Sequence, residues 1–273
     1  MKKIELFRNV LLGSILIFSG FNAQAKPSIT TSGSTTVLPI TQKAAEVFMD
    51  NHPEINISVR GGGSGVGISQ IIEGKVDIAN SSRPIQTKEL KSAREKGVNP
   101  TTNVIANDGI VIIVHPSNSV KELTIPTLKD IYAGNITNWK KLGGPDQAIV
   151  VVSRDVASGT FEVFNGKVMS GVKVKEDAIM LASNNAVATT ITATPGAIGY
   201  IGLGFLSDKV KPLIIEGVTP GVETVKNGTY KLSRQLFMYT NGTPKGVVKE
   251  FIDFVLSEEG QKIVEETGYI TIN

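Results

Sequence analysis

The chain has 273 residues, 41% of them hydrophobic and 19% charged, a balance that suits one large soluble domain or two lobes of ordinary size. It contains no cysteine, which excludes disulfides, thiol catalysis and cysteine-ligated zinc. Its formal charge of +3 is too small for the broad basic face that a nucleic acid demands.

Residues 1–25 read as a cleaved secretory signal. Lys2, Lys3 and Arg8 form a basic start, VLLGSILIFSGF is an apolar core too short for a comfortable membrane span, and Ala23-Gln24-Ala25 has the small-x-small pattern of a cleavage site. Cleavage after Ala25 also removes Glu5, so the formal charge falls by two and the mature chain is nearly neutral. With no cysteine after the signal, a lipid anchor there is excluded, and a free protein outside the cytoplasmic membrane is expected.

From there, short apolar strands alternate with amphipathic helices, the pattern of an α/β fold with parallel sheets. VLPITQKAAEVFMDN carries apolar residues at near-helical spacing and stops at Pro53. INISVRG reads as a strand, Gly61 to Gly67 opens a helix through ISQIIEGK, and VDIAN is the next strand. IVIIVHP (110–116) is a continuous apolar strand; TLKDIYAGNITNWKKLGG gives a helix, a turn and a short helical piece. AIVVVSRD is another buried strand before the helix SGTFEVFNGKVM, and ATTITATPGAIGYIGLGFL pairs a helical piece with a strand. LSRQLFMYTNG is the last strand, and GVVKEFIDFVLSEEGQKIVEETG supplies two helices expected to break at Gly260.

Three loops share one composition. Gly33-Ser34-Thr35-Thr36, Gly63-Ser64-Gly65 and Ser158-Gly159-Thr160 each precede a predicted helix, where backbone N–H groups lack partners and the helix dipole is positive. A single serine or threonine suffices as a cap. Loops with several small donors and no bulky side chain would, on converging, form a pocket for a tetrahedral oxyanion. Arg154 adds a forked, permanent charge. Ser82 and Arg83 follow the strand VDIAN, where ligand loops of α/β sheets lie, although an arginine on such a loop is by default solvated. Asp108 precedes the buried run IVIIV, either as a partner for Arg154 or Arg83 or as acceptor for a proton on the anion. The second role would favour protonated phosphate over sulfate, which carries no proton.

Other motifs fail. GGGSGVG fits neither the dinucleotide fingerprint nor a P-loop, and Val66 stands where a serine-hydrolase elbow needs glycine. His52 and His115 have no metal-ligand neighbours at useful spacing, and a catalytic triad would have to use one of them. No cofactor is expected.

The segments GSTTVLPI, GGGSGVGISQIIEGKVDIANSSRPI, NDGIVIIVHP, LKDIYAGNITNWKKLGG, SRDVASGTFEVF and TPGAIGYIGLG, in this order, resemble the phosphate-binding proteins of bacterial phosphate ABC importers. The resemblance implies a two-lobed periplasmic binding fold with two crossover strands as hinge and a ligand cleft between lobes. Lobe 1 would comprise 26–111 plus 232–273, and lobe 2 would comprise 112–231. It also implies a monomer that is not an enzyme and hands inorganic phosphate to permease subunits served by a cytoplasmic ATPase. Ser34, Thr35 and Ser64 match the family's first-lobe donors, and Arg154, Ser158, Gly159 and Thr160 those of the second lobe. Ser82 stands where a familiar subgroup has an anion-facing acid, which would pass the proton-accepting role to Asp108. Another tetrahedral oxyanion (sulfate, molybdate, tungstate) or a phosphoester hydrolase is the alternative reading.

Overall fold

A computed structural model describes residues 26–272, so the expected signal and its cleavage site lie outside the described residues. Strand β1 (Ser28–Gly33) leads through the first donor loop into α1 (Leu38–Asn51), which has a proline in its opening turn. Its Ile40, Ala44 and Phe48 fall on one face at spacings of four and are buried. β2 (Asn56–Arg60), α2 (Ser64–Ile72) and β3 (Ile78–Ser81) follow as expected from the sequence. α3 (Thr87–Glu95) is an element the hydrophobic pattern does not announce, because Ala93 is its one buried residue. Its start is instead fixed by a capping box in which the Glu89 carboxylate accepts from Gln86 N at 2.8 Å.

The strand expected to begin at Ile110 begins ten residues earlier. β4 (Pro100–Val114) runs for 15 residues, about 50 Å at roughly 3.3 Å per residue. Polar residues such as Asn103 and Asn107 mask its first half from an apolar-run reading. After β5 (Glu122–Leu123) come α4 (Ile125–Ala133), a 3-10 turn at Trp139–Leu142, β6 (Val150–Arg154) and the six-residue α5 (Gly159–Phe164), which runs into a π-helical stretch at Asn165–Met169. β7 (Ile179–Leu181), α6 (Asn184–Ala193), β8 (Ala197–Gly202), β9 (Lys211–Pro212), β10 (Ile214–Ile215) and α7 (Val222–Lys226) complete this half. β11 (Ser233–Asn241) returns beside β4, and α8 (Gly246–Leu256) and α9 (Glu258–Glu266) close the chain. The last two helices part at Ser257 and not at Gly260, since Ser257 leaves helical geometry and its hydroxyl accepts from Gly260 N at 3.2 Å.

Among the described residues the main sheet has nine strands in the order β2-β1-β3-β11-β4-β8-β6-β7, with β9 also on β4. β1 pairs in parallel with β2 and β3 at one end, as β6 does with β8 and β7 at the other. The antiparallel strands β4 and β11 stand between these two parallel sets. β4 pairs with β11 along its first part and with β8 along Ile110–Val114, so one strand belongs to both halves. Buried apolar residues divide accordingly. Ile105 and Ala106 join a core with Ile29, Phe48 and Phe251, whereas Ile110 to Val114 join another with Tyr132, Trp139 and Tyr200. The result is a two-lobed α/β molecule whose donor loops face one another across the crossover strands.

Candidate functional site

The site is assembled from helix starts and strand ends that meet between the lobes. The first loop is shaped by Ser34, whose Oγ accepts from the N–H groups of Thr36 (3.1 Å) and Val37 (3.4 Å). That turn aims Thr35 and Thr36 across the cleft, where the Arg154 Nη2 donates to Thr35 Oγ1 at 3.2 Å and Thr36 Oγ1 lies 3.1 Å from Thr160 Oγ1. On the other flank Ser82 N donates to Ser64 Oγ at 3.0 Å, and the two hydroxyls are 3.4 Å apart. Ser158 caps α5 by accepting from Phe161 N at 3.2 Å.

Gly159 shows why a bare backbone is needed there. A Cβ at this position would sit 2.3 Å from Ser64 Oγ and 2.7 Å from Ser82 Oγ, so any side chain would drive the two lobes apart. At Gly63, with φ +96°, a Cβ would sit 2.6 Å from the Ala157 carbonyl oxygen, and the N–H of Gly65 donates to that carbonyl at 3.0 Å. Ser34, Thr35, Ser64, Ser82, Arg154, Ser158, Gly159 and Thr160 are thus brought into one cluster, with Thr35 half-buried and the others buried.

The three buried arginines among the described residues differ in their pairing. Arg83, expected as a solvated charge, is buried and held by Glu89 at 2.7 Å and by Glu162 at 2.6 Å. Packing of α5 against the loop after β3 excludes water from it, and the two carboxylates compensate the charge. Arg234, which the sequence reading does not single out, pairs with Asp108 at 2.7 Å. Arg154 has no carboxylate within ion-pair distance among the described residues, although it is 1% exposed. Its Nε donates to the Leu181 carbonyl (3.0 Å) and its Nη2 to that of Ala182 (2.9 Å), while buried Nη1 makes no hydrogen bond. Burial pushes this guanidinium down to about 10, still cationic at neutral pH.

Asp108 corrects an expectation. Its partner is Arg234 and neither Arg154 nor Arg83, because β4 and β11 set Asp108 and Arg234 directly opposite in register. Oδ2 accepts from Arg234 Nε at 2.9 Å, and Oδ1 from Leu203 N at 2.9 Å. Burial pushes the carboxyl up, against the pull of Arg234 and of the N–H groups of Leu203 and Gly109. Both oxygens thus accept from groups at the floor of the cleft. Asn184 is a second residue that the sequence reading misses. It opens α6, is fully buried, and donates to Thr35 Oγ1 (3.3 Å) and Thr36 Oγ1 (3.1 Å) from the opposite lobe. A buried arginine in step with Leu236 and Met238 is the signal that could have found Arg234; Asn184, next to the ordinary cap Ser183, gives none.

Tyr200 stacks on Phe164 with centroids 4.1 Å apart, and its hydroxyl lies 2.8 Å from Ser153 Oγ and accepts from Arg154 N, which fixes the end of β6. Among the described residues no cluster of histidine and acidic side chains suits a metal ion, and no helix is long and apolar enough to cross a membrane. A surface groove of about 520 Å³ beside Ile71, Thr240 and Lys245 lies away from the converging donors.

Comparison with known proteins agrees with this geometry. Residues 22–259 match the model of the PBP superfamily domain. The phosphate-binding protein PstS of Bacillus subtilis (strain 168) is 40% identical over 251 residues, covering 91% of this chain and 82% of its own. The PstS of Staphylococcus epidermidis is 35% identical over 293 residues, covering 99% of this chain and 89% of its own. A crystal structure from Clostridium perfringens, described as a candidate phosphate ABC transporter substrate-binding protein with bound phosphate, superposes with a TM-score of 0.84 at 37% identity, covering 90% of this chain and 100% of its own. An ABC-type phosphate transport receptor from Vibrio cholerae gives 0.74 at 36% identity over 89% and 99%. With its two lobes, its crossover strands and its cluster of donors, the chain belongs to the PBP superfamily and, within it, to the family of the phosphate-binding proteins PstS.

Proposed function

We propose that the chain is the substrate-binding protein of a phosphate ABC importer, capturing inorganic phosphate between its lobes. The observation that carries this reading is Arg154, a buried cation with no carboxylate within ion-pair distance among the described residues and one N–H group unspent. A charge in such a place is costly unless an anion completes it. The hydroxyls of Ser34, Thr35, Ser64, Ser82, Ser158 and Thr160 and the bare backbone at Gly159 surround the same space, and a tetrahedral oxyanion matches both the charge and the donor count. No serine here has a histidine or a free carboxylate beside it, so the chemistry supports capture rather than ester hydrolysis.

The division of the core between Ala106 and Ile110 supports lobes close to those expected, with β4 and β11 as the hinge, though the cores part a few residues before 111. Delivery to permease subunits with a cytoplasmic ATPase, a monomeric state and a periplasmic location complete the reading.

Calorimetry on the mature protein, dialysed free of anion, tests it. One-to-one phosphate binding at micromolar or tighter affinity is expected, since a set of charge-assisted hydrogen bonds worth roughly 1.5–3 kcal/mol each can exceed the about 8 kcal/mol required. Arg154→Ala should weaken binding by about a hundredfold, the equivalent of roughly 3 kcal/mol. Wild-type affinity in that variant would move the anion elsewhere.

A further inference from the structure

The hydroxyls of the cleft are not free to choose their direction. A threonine hydroxyl has one proton to give and two lone pairs to fill. Thr36 Oγ1 accepts from Arg234 Nη2 at 3.3 Å and from Asn184 Nδ2 at 3.1 Å, so its lone pairs are taken. The Asn184 amide cannot be turned over, because its Oδ1 accepts from Gly202 N at 3.2 Å. The Thr36 proton therefore goes to Thr160 Oγ1, 3.1 Å away. Thr160 Oγ1 already accepts from Arg234 Nη1 at 3.0 Å, so its lone pairs are filled as well. What remains to Thr160 is a proton with no acceptor inside the protein.

Thr35 and Ser34 reach the same state by other routes. Thr35 Oγ1 accepts from Arg154 and Asn184, and Ser34 Oγ from two backbone N–H groups. The Ser64–Ser82 pair differs. Ser64 Oγ accepts from one N–H group, and Ser82 Oγ pairs with Ser64 Oγ. This pair keeps spare lone pairs.

We propose that Arg234, held by Asp108 across the crossover strands, is a positioning residue that makes the Thr36–Thr160 pair a one-way donor and so sets the cleft for the dibasic form of phosphate. The inference rests on the phosphate reading above and specifies the charge state taken. Dibasic phosphate has a single P–OH, which the Ser64–Ser82 pair or Ser158, whose Oγ accepts from Phe161 N alone, can accept. Monobasic phosphate brings a second P–OH, and on the Thr36–Thr160 side that proton meets a hydroxyl that can only donate. A guanidinium offers donors alone, so Arg234 can only donate to both hydroxyls.

The charged and titratable groups around the cluster are Asp108, Arg154, Asp155 and Arg234, the phenols of Tyr200, Tyr230 and Tyr269, and Glu162 with Arg83 and Glu89 on the outer side of α5. Burial pushes all three phenols up, Tyr200 to about 12, beyond the range at issue. Burial also pushes Glu162 up; it is present in every protein compared below and cancels from the comparison.

The test is phosphate affinity by calorimetry from about pH 5.5 to about pH 8 for the wild type, Arg234→Lys and Thr36→Val. Lysine keeps the charge beside Asp108 but cannot bond Thr36 and Thr160 together, and Thr36→Val breaks the relay with every charge in place. Wild-type binding should weaken toward acid as the dibasic fraction falls. In both variants the ratio of the acid to the alkaline dissociation constant should shrink by about fivefold, the worth of one hydrogen bond replacing a clash. The same ratio in all three proteins would overturn the positioning role while leaving phosphate binding intact. Absence of phosphate heat from the wild type at every pH would overturn the functional reading and this one with it. If Arg234→Lys fails to fold by circular dichroism, Thr36→Val alone decides.

Discussion

Asp108 shows how far a residue's type falls short of its role. The sequence places a carboxylate beside ligand loops, which invites either an arginine partner or an acceptor for the anion's proton; in the structure its oxygens accept from Arg234 and from Leu203 N. Its contribution is then to keep Arg234 buried and oriented. Asp108→Asn is expected to lower stability by about 3 kcal/mol, the lower end of what breaking a buried pair costs. Thermal unfolding without anion should register this as a fall of roughly 10 °C. The ratio of phosphate to sulfate affinity should stay unchanged, measured by competition. A gain in sulfate binding would return Asp108 to the ligand's side of the floor. The other site residues were more legible. Ser34, Thr35, Ser64, Ser158, Gly159 and Thr160 lie in loops with more small donors than one helix cap needs, so local composition identifies them. Arg234 was not legible that way. It stands inside a strand, and its partner lies 126 positions away, a pairing that only the register of β4 and β11 creates.

At the scale of elements, the sequence pattern identifies most strands and helices but misplaces the boundaries that side chains set. β4 is longer than its apolar run because hydrogen bonding to β11 extends it through polar residues. α3 lacks an apolar face, and its capping box is the one local sign of it. The turn between α8 and α9 illustrates the physics. Glycine is the usual breaker, yet Gly260 lies inside α9, where a Cβ would come within 2.1 Å of the Phe254 carbonyl. It is a packing glycine, and Ser257 supplies the break through its hydroxyl cap. Ser257→Ala should cost about 1 kcal/mol in chemical denaturation, the ordinary worth of an N-cap. Gly260→Ala should cost clearly more, since the α8 backbone must move to admit it. Equal costs would mean that the close approach relaxes freely.

At the scale of the whole molecule, the contacts that join the lobes fall into two groups with different consequences. Those within the cleft, from Arg154 and Asn184 to the first loop and from Gly65 to Ala157, lie among the clustered donors. The second group lies at the outer side of α5, where Arg83 and Gln86 of one lobe hold Glu162 of the other, and Glu89 holds Arg83 from its own side. Two carboxylates share one guanidinium there, and burial pushes Glu162 up, so this bond is weaker than its short contacts suggest. It touches no cleft hydroxyl and should act on how long the lobes stay closed rather than on the anion itself. Glu162→Gln keeps the side chain's size and removes its charge, and Arg83 retains Glu89. The expected loss is about 1–2 kcal/mol in the closed form alone, which corresponds to phosphate release faster by roughly 5- to 30-fold. Association is governed by encounter with the open lobes, so its rate should hardly change. Stopped-flow measurement of both rates separates the two effects. Slower association with unchanged release would place Glu162 on the path of entry and remove it from the closure.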